Sequence, residues 1–220
     1  MPLKIEKKAL VAFANRERAN FEAKLKEFVE TPTVSAEPEH KPDIRRCAEL
    51  AAETIRQYGG TAEIIETDGN PLVHGVFEAG ANLPTVTVYN HLDVQPASRE
   101  TEPWDTEPFE LVTKGDRYFG RGATDDKGPA LSALFGIRAA REAELPVNIR
   151  VLWELEEEIG SHNFESGIKR VADKLATDSV VVSDTIWVSR AQPACPAGLR
   201  GMAGFTLRLE TGTTDVHSFS

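Results

Sequence analysis

Segments with the apolar pattern of a strand alternate with helical segments along most of this 220-residue chain. Strand patterns cover residues 61–66, 72–77, 86–93, 147–155 and 179–182. Helical spacing covers residues 3–29, the stretch from Pro42 to Gly59, Leu131 to Arg141, and Phe164 to Val171. Such alternation favours a three-layer α/β/α fold, with helices on both faces of a mostly parallel central sheet.

The strand over residues 86–93 ends in a His-x-Asp pair. A strand holds residues two apart on the same side, so His91 and Asp93 should point the same way. A carboxylate that orients a metal-bound imidazole is a common arrangement, which makes His91 a candidate ligand and Asp93 its supporting residue. Taken alone, such a pair is more often an ordinary strand end with a satisfied histidine.

Three further carboxylates fall where α/β sheets place ligands. Asp125 lies in the glycine-rich stretch 120–129, just before a predicted helix. Glu158 and Asp184 each follow a predicted strand. The carboxyl ends of parallel strands meet at one edge of a sheet, so we expect these carboxylates to converge on His91 and Asp93.

This group has the chemistry of a two-metal site. The carboxylates of Asp125, Glu158 and Asp184, together with a hydroxide, would balance two divalent ions, and His91 would add a neutral nitrogen. One imidazole among carboxylates suits Zn²⁺, with Mn²⁺ or Co²⁺ as alternatives. Asp125 can bridge two ions roughly 3.5–4 Å apart. Glu157 is the candidate general base, a role that contributes about 10²–10⁴-fold, and the predicted reaction is hydrolysis of an amide bond by metal-activated water.

Composition and charge exclude several other functions. A net charge of −10 disfavours a nucleic-acid surface or an anionic membrane as a partner. The two cysteines, Cys47 and Cys195, lack Cys-x-x-Cys spacing, so they support neither a zinc knuckle nor a disulfide framework. No signal peptide or apolar run of membrane length is evident, so we expect a reducing cytoplasm.

The sequence changes character after Ala191. Residues 192–196 are typical of a linker, and residues 205–210 alternate as a strand does. We therefore expect a catalytic metal-binding domain over residues 1–191 and the beginning of a second domain over residues 198–220.

Four ordered motifs give the chain a family resemblance. They are residues 90–96 (Asn-His-Leu-Asp-Val-Gln-Pro), residues 120–129 (Gly-Arg-Gly-Ala-Thr-Asp-Asp-Lys-Gly-Pro), residues 157–161 (Glu-Glu-Ile-Gly-Ser) and residues 182–184 (Val-Ser-Asp). With them the chain resembles the M20 metallopeptidases, a family that includes carboxypeptidase G2, acetylornithine deacetylase and the carnosinase-type dipeptidases. The Val-Gln-Pro and Gly-Pro extensions look most like the dipeptidase branch.

The resemblance implies a role for each site residue. By that resemblance, His91 and Asp184 would bind one metal ion, Glu158 would bind the other, and Asp125 would bridge the two. Asp93 would orient His91, and Glu157 would be the base. The family also implies a zinc-peptidase fold and a cis peptide bond between Asp125 and Asp126.

The resemblance also implies a second domain that forms a lid and a dimer interface. The family's second-site histidine follows that lid, and no matching histidine occurs here, so we expect an incomplete second site and a chain that is inactive alone. His217, in the stretch 214–218, would reach a neighbouring subunit's active site and hydrogen-bond the substrate there. Without the family, His217 is an ordinary exposed loop histidine.

Four functions remain open from the sequence. The leading one is a dinuclear metallopeptidase acting on dipeptides or short peptides. A deacylase of N-acyl amino acids has the same metal motifs. An inactive fragment that binds at most one ion, and a metal-free acidic interaction domain, are the non-enzymatic alternatives.

Overall fold

The computed structural model describes residues 5–185, 188–189, 191–192, 194–198, 201 and 203–209. The chain divides into two compact units, Met1–Asp184 and Thr185–Ser220. In the first unit the helices are α1 Lys7–Val29, α2 Lys41–Gln57, α3 Lys127–Glu142 and α4 Phe164–Arg170. Its strands are β1 Thr61–Ile65, β2 Leu72–Phe77, β3 Thr85–His91, β4 Val112–Lys114, β5 Arg117–Phe119, β6 Asn148–Glu154 and β7 Ser179–Val182.

The central sheet has the strand order β1-β2-β6-β3-β7. β3 pairs in parallel with β6 and β7, whereas β2 is antiparallel to both β1 and β6. It follows that β1, β6, β3 and β7 run in one direction and that β2 alone opposes them. The predicted, mostly parallel sheet is confirmed, and the carboxyl ends of β3, β6 and β7 lie at one edge.

Helices cover both faces of this sheet. On one face α1, α2 and α3 bury their apolar sides against the strands, and Phe28 of α1 meets Trp153 of β6 with ring centroids 6.3 Å apart. On the other face Val171, after α4, packs with Ile65 and Leu72. The apolar spacing seen in the sequence therefore marks the buried sides, and the three-layer α/β/α architecture is confirmed.

A short hairpin forms around Gly115, apart from the central sheet. β4 and β5 pair as a two-stranded antiparallel sheet, and Gly115 occupies the turn with a φ of 64°. Such a positive φ is readily available only to glycine, which explains the residue at this position.

The alternating pattern of residues 205–210 does not form a strand over its described part. Residues 203–209 have no regular secondary structure, and the side chains of Phe205, Leu207 and Leu209 are 93%, 95% and 82% exposed. A strand forms by pairing with another strand, and none of the described strands pairs with residues 203–209. Glu210 lies outside the described residues. The division between the units falls after Asp184, and the proposed domains 1–191 and 198–220 stay a prediction.

The two cysteines are free and differ in environment. Cys47 is buried in α2, and its burial raises the pKa of the thiol to about 11. Cys195 is exposed. Within the described part of the chain, no helix is both long enough and apolar enough to cross a membrane.

The two glycines of α3 allow a matched test of packing. A Cβ at Gly128 would lie 2.1 Å from the carbonyl oxygen of Ala123, whereas a Cβ at Gly136 would meet nothing within 4 Å. We expect Gly128→Ala to lower the free energy of unfolding by about 1–3 kcal/mol, the usual cost of overpacking. Gly136→Ala should raise it by about 0.5–1 kcal/mol, because alanine favours the helix. Urea unfolding measures both, and equal stabilities would contradict the close contact at Gly128.

Candidate metal centre

The candidate ligands meet at the carboxyl edge of the sheet. His91 is the last residue of β3, and Asp184 follows β7 by two residues. Asp125 lies in the turn that precedes α3, and Glu157 and Glu158 lie in a 3₁₀ turn after β6. The sheet topology predicted from the sequence therefore brings four separate segments to one place.

The imidazole of His91 stands at the centre of the group. Its Nε2 atom lies 3.0 Å from Asp125 Oδ1 and 3.7 Å from Asp184 Oδ2. Ligand atoms of these three residues all lie within 4.8 Å of one another. One imidazole nitrogen and two carboxylate oxygens at this separation are a donor set that fits a divalent cation.

Glu157 and Glu158 have different surroundings. Glu157 Oε2 lies 3.9 Å from His91 Nε2, beside the three-residue group. The Glu158 carboxylate does not join that group within the described chain. It accepts a hydrogen bond of 2.8 Å from the side-chain amide of Gln95, which also donates to the Glu158 carbonyl. The structure thus brings together three of the four predicted ligands, and Glu158 is not part of that group.

Asp93 supports the site in two ways. Its carboxylate is fully buried and accepts hydrogen bonds from the backbone N–H groups of Glu157 and Glu158, at 3.1 and 3.0 Å. His91 Nδ1 lies 3.0 Å from the Asp93 carbonyl oxygen and 3.5 Å from its carboxylate. The nearer orienting group is therefore the main-chain carbonyl of Asp93, and its carboxylate chiefly anchors the acidic turn.

Two residues to which the sequence reasoning gave no role fix the backbone around His91. Asp126 Oδ2 accepts hydrogen bonds from Asn90 Nδ2 at 2.7 Å and from the His91 backbone N–H at 3.2 Å. Asn90 Nδ2 also donates to the carbonyl oxygen of Ser183, next to Asp184. The peptide bond between Asp125 and Asp126 is cis, as the resemblance implied. The sequence did contain a signal for Asn90 and Asp126, since each belongs to one of the motifs quoted above.

Lys127 is a third residue without a predicted role. Its side chain is fully buried, and Nζ donates to the carbonyl oxygens of Phe28 at 2.9 Å and Thr31 at 2.7 Å. These carbonyls lie at the end of α1, where helix carbonyl groups lack intrahelical partners. Lys127 therefore joins α1 to the turn that carries Asp125.

Charges crowd around the imidazole. Burial lowers the pKa of His91, but the hydrogen bond and charge of Asp93, with the charges of Asp126 and Asp184, outweigh burial and raise it to about 10. Burial raises the pKa of Asp184; the charge of Asp125 adds to this, while that of His91 opposes it. Carboxylates that repel one another around a basic nitrogen are the surroundings in which a divalent cation replaces a proton.

His217 lies outside the described residues. Its predicted role at a neighbouring subunit's site stays a prediction, as do the roles of the other site residues.

A family model described as peptidase family M20/M25/M40 matches residues 87–202, the part that carries the metal-site motifs. Together with the α/β sheet and the ligand group at its carboxyl edge, this match shows that the chain belongs to the M20 family of metallopeptidases.

Metallodipeptidases are among the relatives and solved structures that this chain resembles. A Cys-Gly metallodipeptidase of Schizosaccharomyces pombe is 34% identical over 98% of this chain and 48% of its own length. The Beta-Ala-His dipeptidase of Rattus norvegicus is 32% identical over 95% of this chain and 46% of its length. The structure of the di-peptidase Dug1p from Saccharomyces cerevisiae has a TM-score of 0.75 at 30% identity, covering 82% of this chain and 41% of that one. The chain thus spans a little under half the length of these relatives.

Asp93 gives a test that needs neither metal nor substrate. In Asp93→Asn, the side-chain N–H₂ would face one of the two backbone N–H groups that now donate hydrogen bonds to the carboxylate. We expect the free energy of unfolding in chelator to fall by about 1–3 kcal/mol, because a buried donor loses its acceptor. Asp173→Asn, at an exposed position, should change it by less than about 0.5 kcal/mol. If both variants unfold at the same urea concentration, Asp93 does not hold the acidic turn.

Proposed function

We propose that this chain is the metal-binding part of a hydrolase that cleaves the amide bond of dipeptides or short peptides. The observation that carries the proposal is the His91–Asp125–Asp184 group, with Glu157 beside it, in an M20 chain. The names of its relatives, metallodipeptidases among them, support dipeptides as the substrate class.

The proposed first metal site consists of His91, Asp125 and Asp184. In this proposal Asp125 is shared with a second site, to which Glu158 contributes. The side-chain amide of Gln95 donates a hydrogen bond to the Glu158 carboxylate. Zinc is the ion we favour, with manganese or cobalt as alternatives, because one imidazole combines with carboxylates. A bound divalent ion supplies Lewis-acid chemistry, since it polarises the substrate carbonyl and acidifies water.

Glu157 is the proposed general base. Its carboxylate is partly buried next to His91, and burial raises its pKa, with repulsion from Glu158 and Asp184 adding to the shift and His91 opposing it. A raised pKa helps a carboxylate to accept a proton from water and then release it. Glu157 Oε2 would take that proton and pass it to the leaving amine. Asp93 keeps Glu157 in register through the backbone bond described above.

The proposal extends to assembly and location. We infer a homodimer formed through the second unit, in which His217 of one chain donates a hydrogen bond to substrate in the other. A cytoplasmic location agrees with two free cysteines. Peptides or N-acyl amino acids are the proposed small-molecule partners, with neither nucleic acid nor membrane.

Metal content tests the first site directly. After dialysis the chain should retain one tightly held zinc ion, because three ligands converge at His91 while Glu158 lies outside that group. His91→Ala should lose it. His40→Ala is the matched control, since His40 also faces carboxylates, 2.8 Å from Asp43 and 3.5 Å from Glu37. Two tightly held zinc ions per chain would contradict the incomplete second site. The absence of any bound zinc would contradict the first site itself.

Turnover separates the two adjacent glutamates. Glu157→Gln should keep its metal and lose roughly 10²-fold or more in kcat, because a positioned base is missing. Glu158→Gln should instead lose metal from the second site. The assay uses the longest natural polypeptide that contains this sequence, with β-alanyl-histidine, Cys-Gly and an N-acetyl amino acid as substrates. Hydrolysis of the N-acetyl compound alone would replace the dipeptidase proposal with the deacylase.

Mixed dimers test the role of His217. One chain carries His217→Ala and the other Glu157→Gln, so one site of each mixed dimer would hold both changes and the other neither. We expect activity to return on mixing, as measured by dipeptide hydrolysis. Mixed dimers that form without recovery would place His217 in its own subunit or outside catalysis.

A further inference from the structure

Glu154 is a buried carboxylate at the end of β6, outside both the proposed set of ligands and the proposed base. It is the register partner of His91 on the neighbouring parallel strand, so the two side chains leave the sheet on the same side. Glu154 is only 2% exposed. A buried carboxylate is stable only where donors surround it, so the hydrogen bonds of Glu154 show what this residue holds in place.

Two hydroxyl groups donate to this carboxylate. The phenol of Tyr89 and the hydroxyl of Ser161 both donate to Glu154 Oε1, the serine at 3.1 Å. Tyr89 lies on β3 two residues before His91, and therefore on the same side of that strand. Phe164 of α4 packs edge to face on the Tyr89 ring, with the ring centroids 5.7 Å apart. Glu154 thus links β3 to the segment that contains Ser161.

Ser161 closes the acidic turn, the 3₁₀ turn Glu157–Ile159. The backbone N–H of Gly160 donates to the carbonyl oxygen of the first residue of this turn, and that of Ser161 donates to the carbonyl oxygen of the residue before it, both at 2.8 Å. The φ of Ser161 is 52°, in the left-handed region that residues other than glycine rarely adopt. The hydroxyl bond to Glu154 therefore fixes a backbone position that is intrinsically disfavoured.

The acidic turn is connected to β3 at both of its ends. Asp93, two residues after His91, accepts hydrogen bonds from the backbone N–H groups at the start of the turn. Tyr89, two residues before His91, reaches the end of the turn through Glu154 and a serine hydroxyl. Glu157 Oε2 lies 3.9 Å from His91 Nε2 between these two connections. The separation of the proposed base from the imidazole therefore depends on both of them.

We propose that Glu154 is a positioning residue, which holds Glu157 where that carboxylate takes a proton from water. Misplacement of a reacting group by about 1 Å costs roughly 10²-fold in rate. The role needs an acceptor at Oε1 and no charge. Glu154 Oε2 has no hydrogen-bond partner among the described residues, so an amide nitrogen in its place would displace no contact. This proposal rests on the proposed role of Glu157 as the general base.

Variants of the longest natural polypeptide that contains this sequence test the proposal, with the most rapidly hydrolysed of the three substrates named above. Glu154→Leu removes the acceptor and should lower kcat roughly ten- to a hundredfold, with little change in KM or zinc content. Glu154→Gln keeps the Oε1 acceptor and should retain kcat to within about threefold.

A matched pair of serine variants tests the same link with a smaller change. Ser161→Ala removes the donor to Glu154 and should lower kcat by roughly tenfold. Ser166→Ala is the control, because its hydroxyl also makes one hydrogen bond, at 2.9 Å to the carbonyl oxygen of Asn163, but at the start of α4. It should leave kcat unchanged.

A double-mutant cycle shows whether Glu154 acts through Glu157. In the Glu157→Gln background the base is already absent, so adding Glu154→Leu should lower kcat by no more than about twofold further. A merely structural role would lower kcat by the same factor in both backgrounds. If Glu154→Leu does not fold, Ser161→Ala takes its place in the cycle.

The outcomes separate this proposal from the function on which it rests. Glu154→Gln as slow as Glu154→Leu, full kcat in Ser161→Ala, or equal losses in both backgrounds would each overturn the positioning role while leaving the base intact. Full kcat in Glu157→Gln would overturn the base and, with it, the positioning role.

Discussion

The buried carboxylate of Asp93 is the constraint on which the metal centre depends. A buried carboxylate is stable only where donors surround it, and Asp93 finds two in the backbone of the turn at Glu157 and Glu158. That turn follows β6, whereas Asp93 follows β3, the neighbouring strand. One side chain therefore sets the distance between the segment that holds the imidazole and the segment that holds the proposed base.

Three polar residues that are not proposed ligands hold the ligand-bearing segments in place. Asn90 and Asp126 tie the His91 backbone to the turn before α3, and Asn90 reaches the segment that carries Asp184. Lys127 anchors that turn to the end of α1. Burial lowers the pKa of this lysine to about 8, while the negative charge of Asp93 opposes the shift. A buried cation near Asp93 helps to offset the negative charge gathered around the site.

The sequence predicted the layers, the mostly parallel sheet and the convergence of His91, Asp125 and Asp184, because apolar periodicity and parallel topology determine them. It did not predict the state of Glu158, whose carboxylate bonds to Gln95, since a rotamer depends on neighbours distant in sequence. The roles of Asn90, Asp126 and Lys127 were also missed. Their residue types are compatible with a loop or a helix start, and only tertiary contacts reveal their partners. The strand predicted at residues 205–210 is wrong over its described part for a related reason. An alternating apolar pattern does not by itself provide a second strand to pair with.

The contrast between the two thiols has a practical consequence. Cys195 is exposed in the second unit, whereas Cys47 is fully buried with a pKa raised to about 11 by its burial. Thiolate is the reactive form, so a maleimide dye would label Cys195 alone while the first unit stays closed. Slow alkylation of Cys47 would then report how often the core around α2 opens, giving a kinetic gauge of local unfolding without any engineered residue.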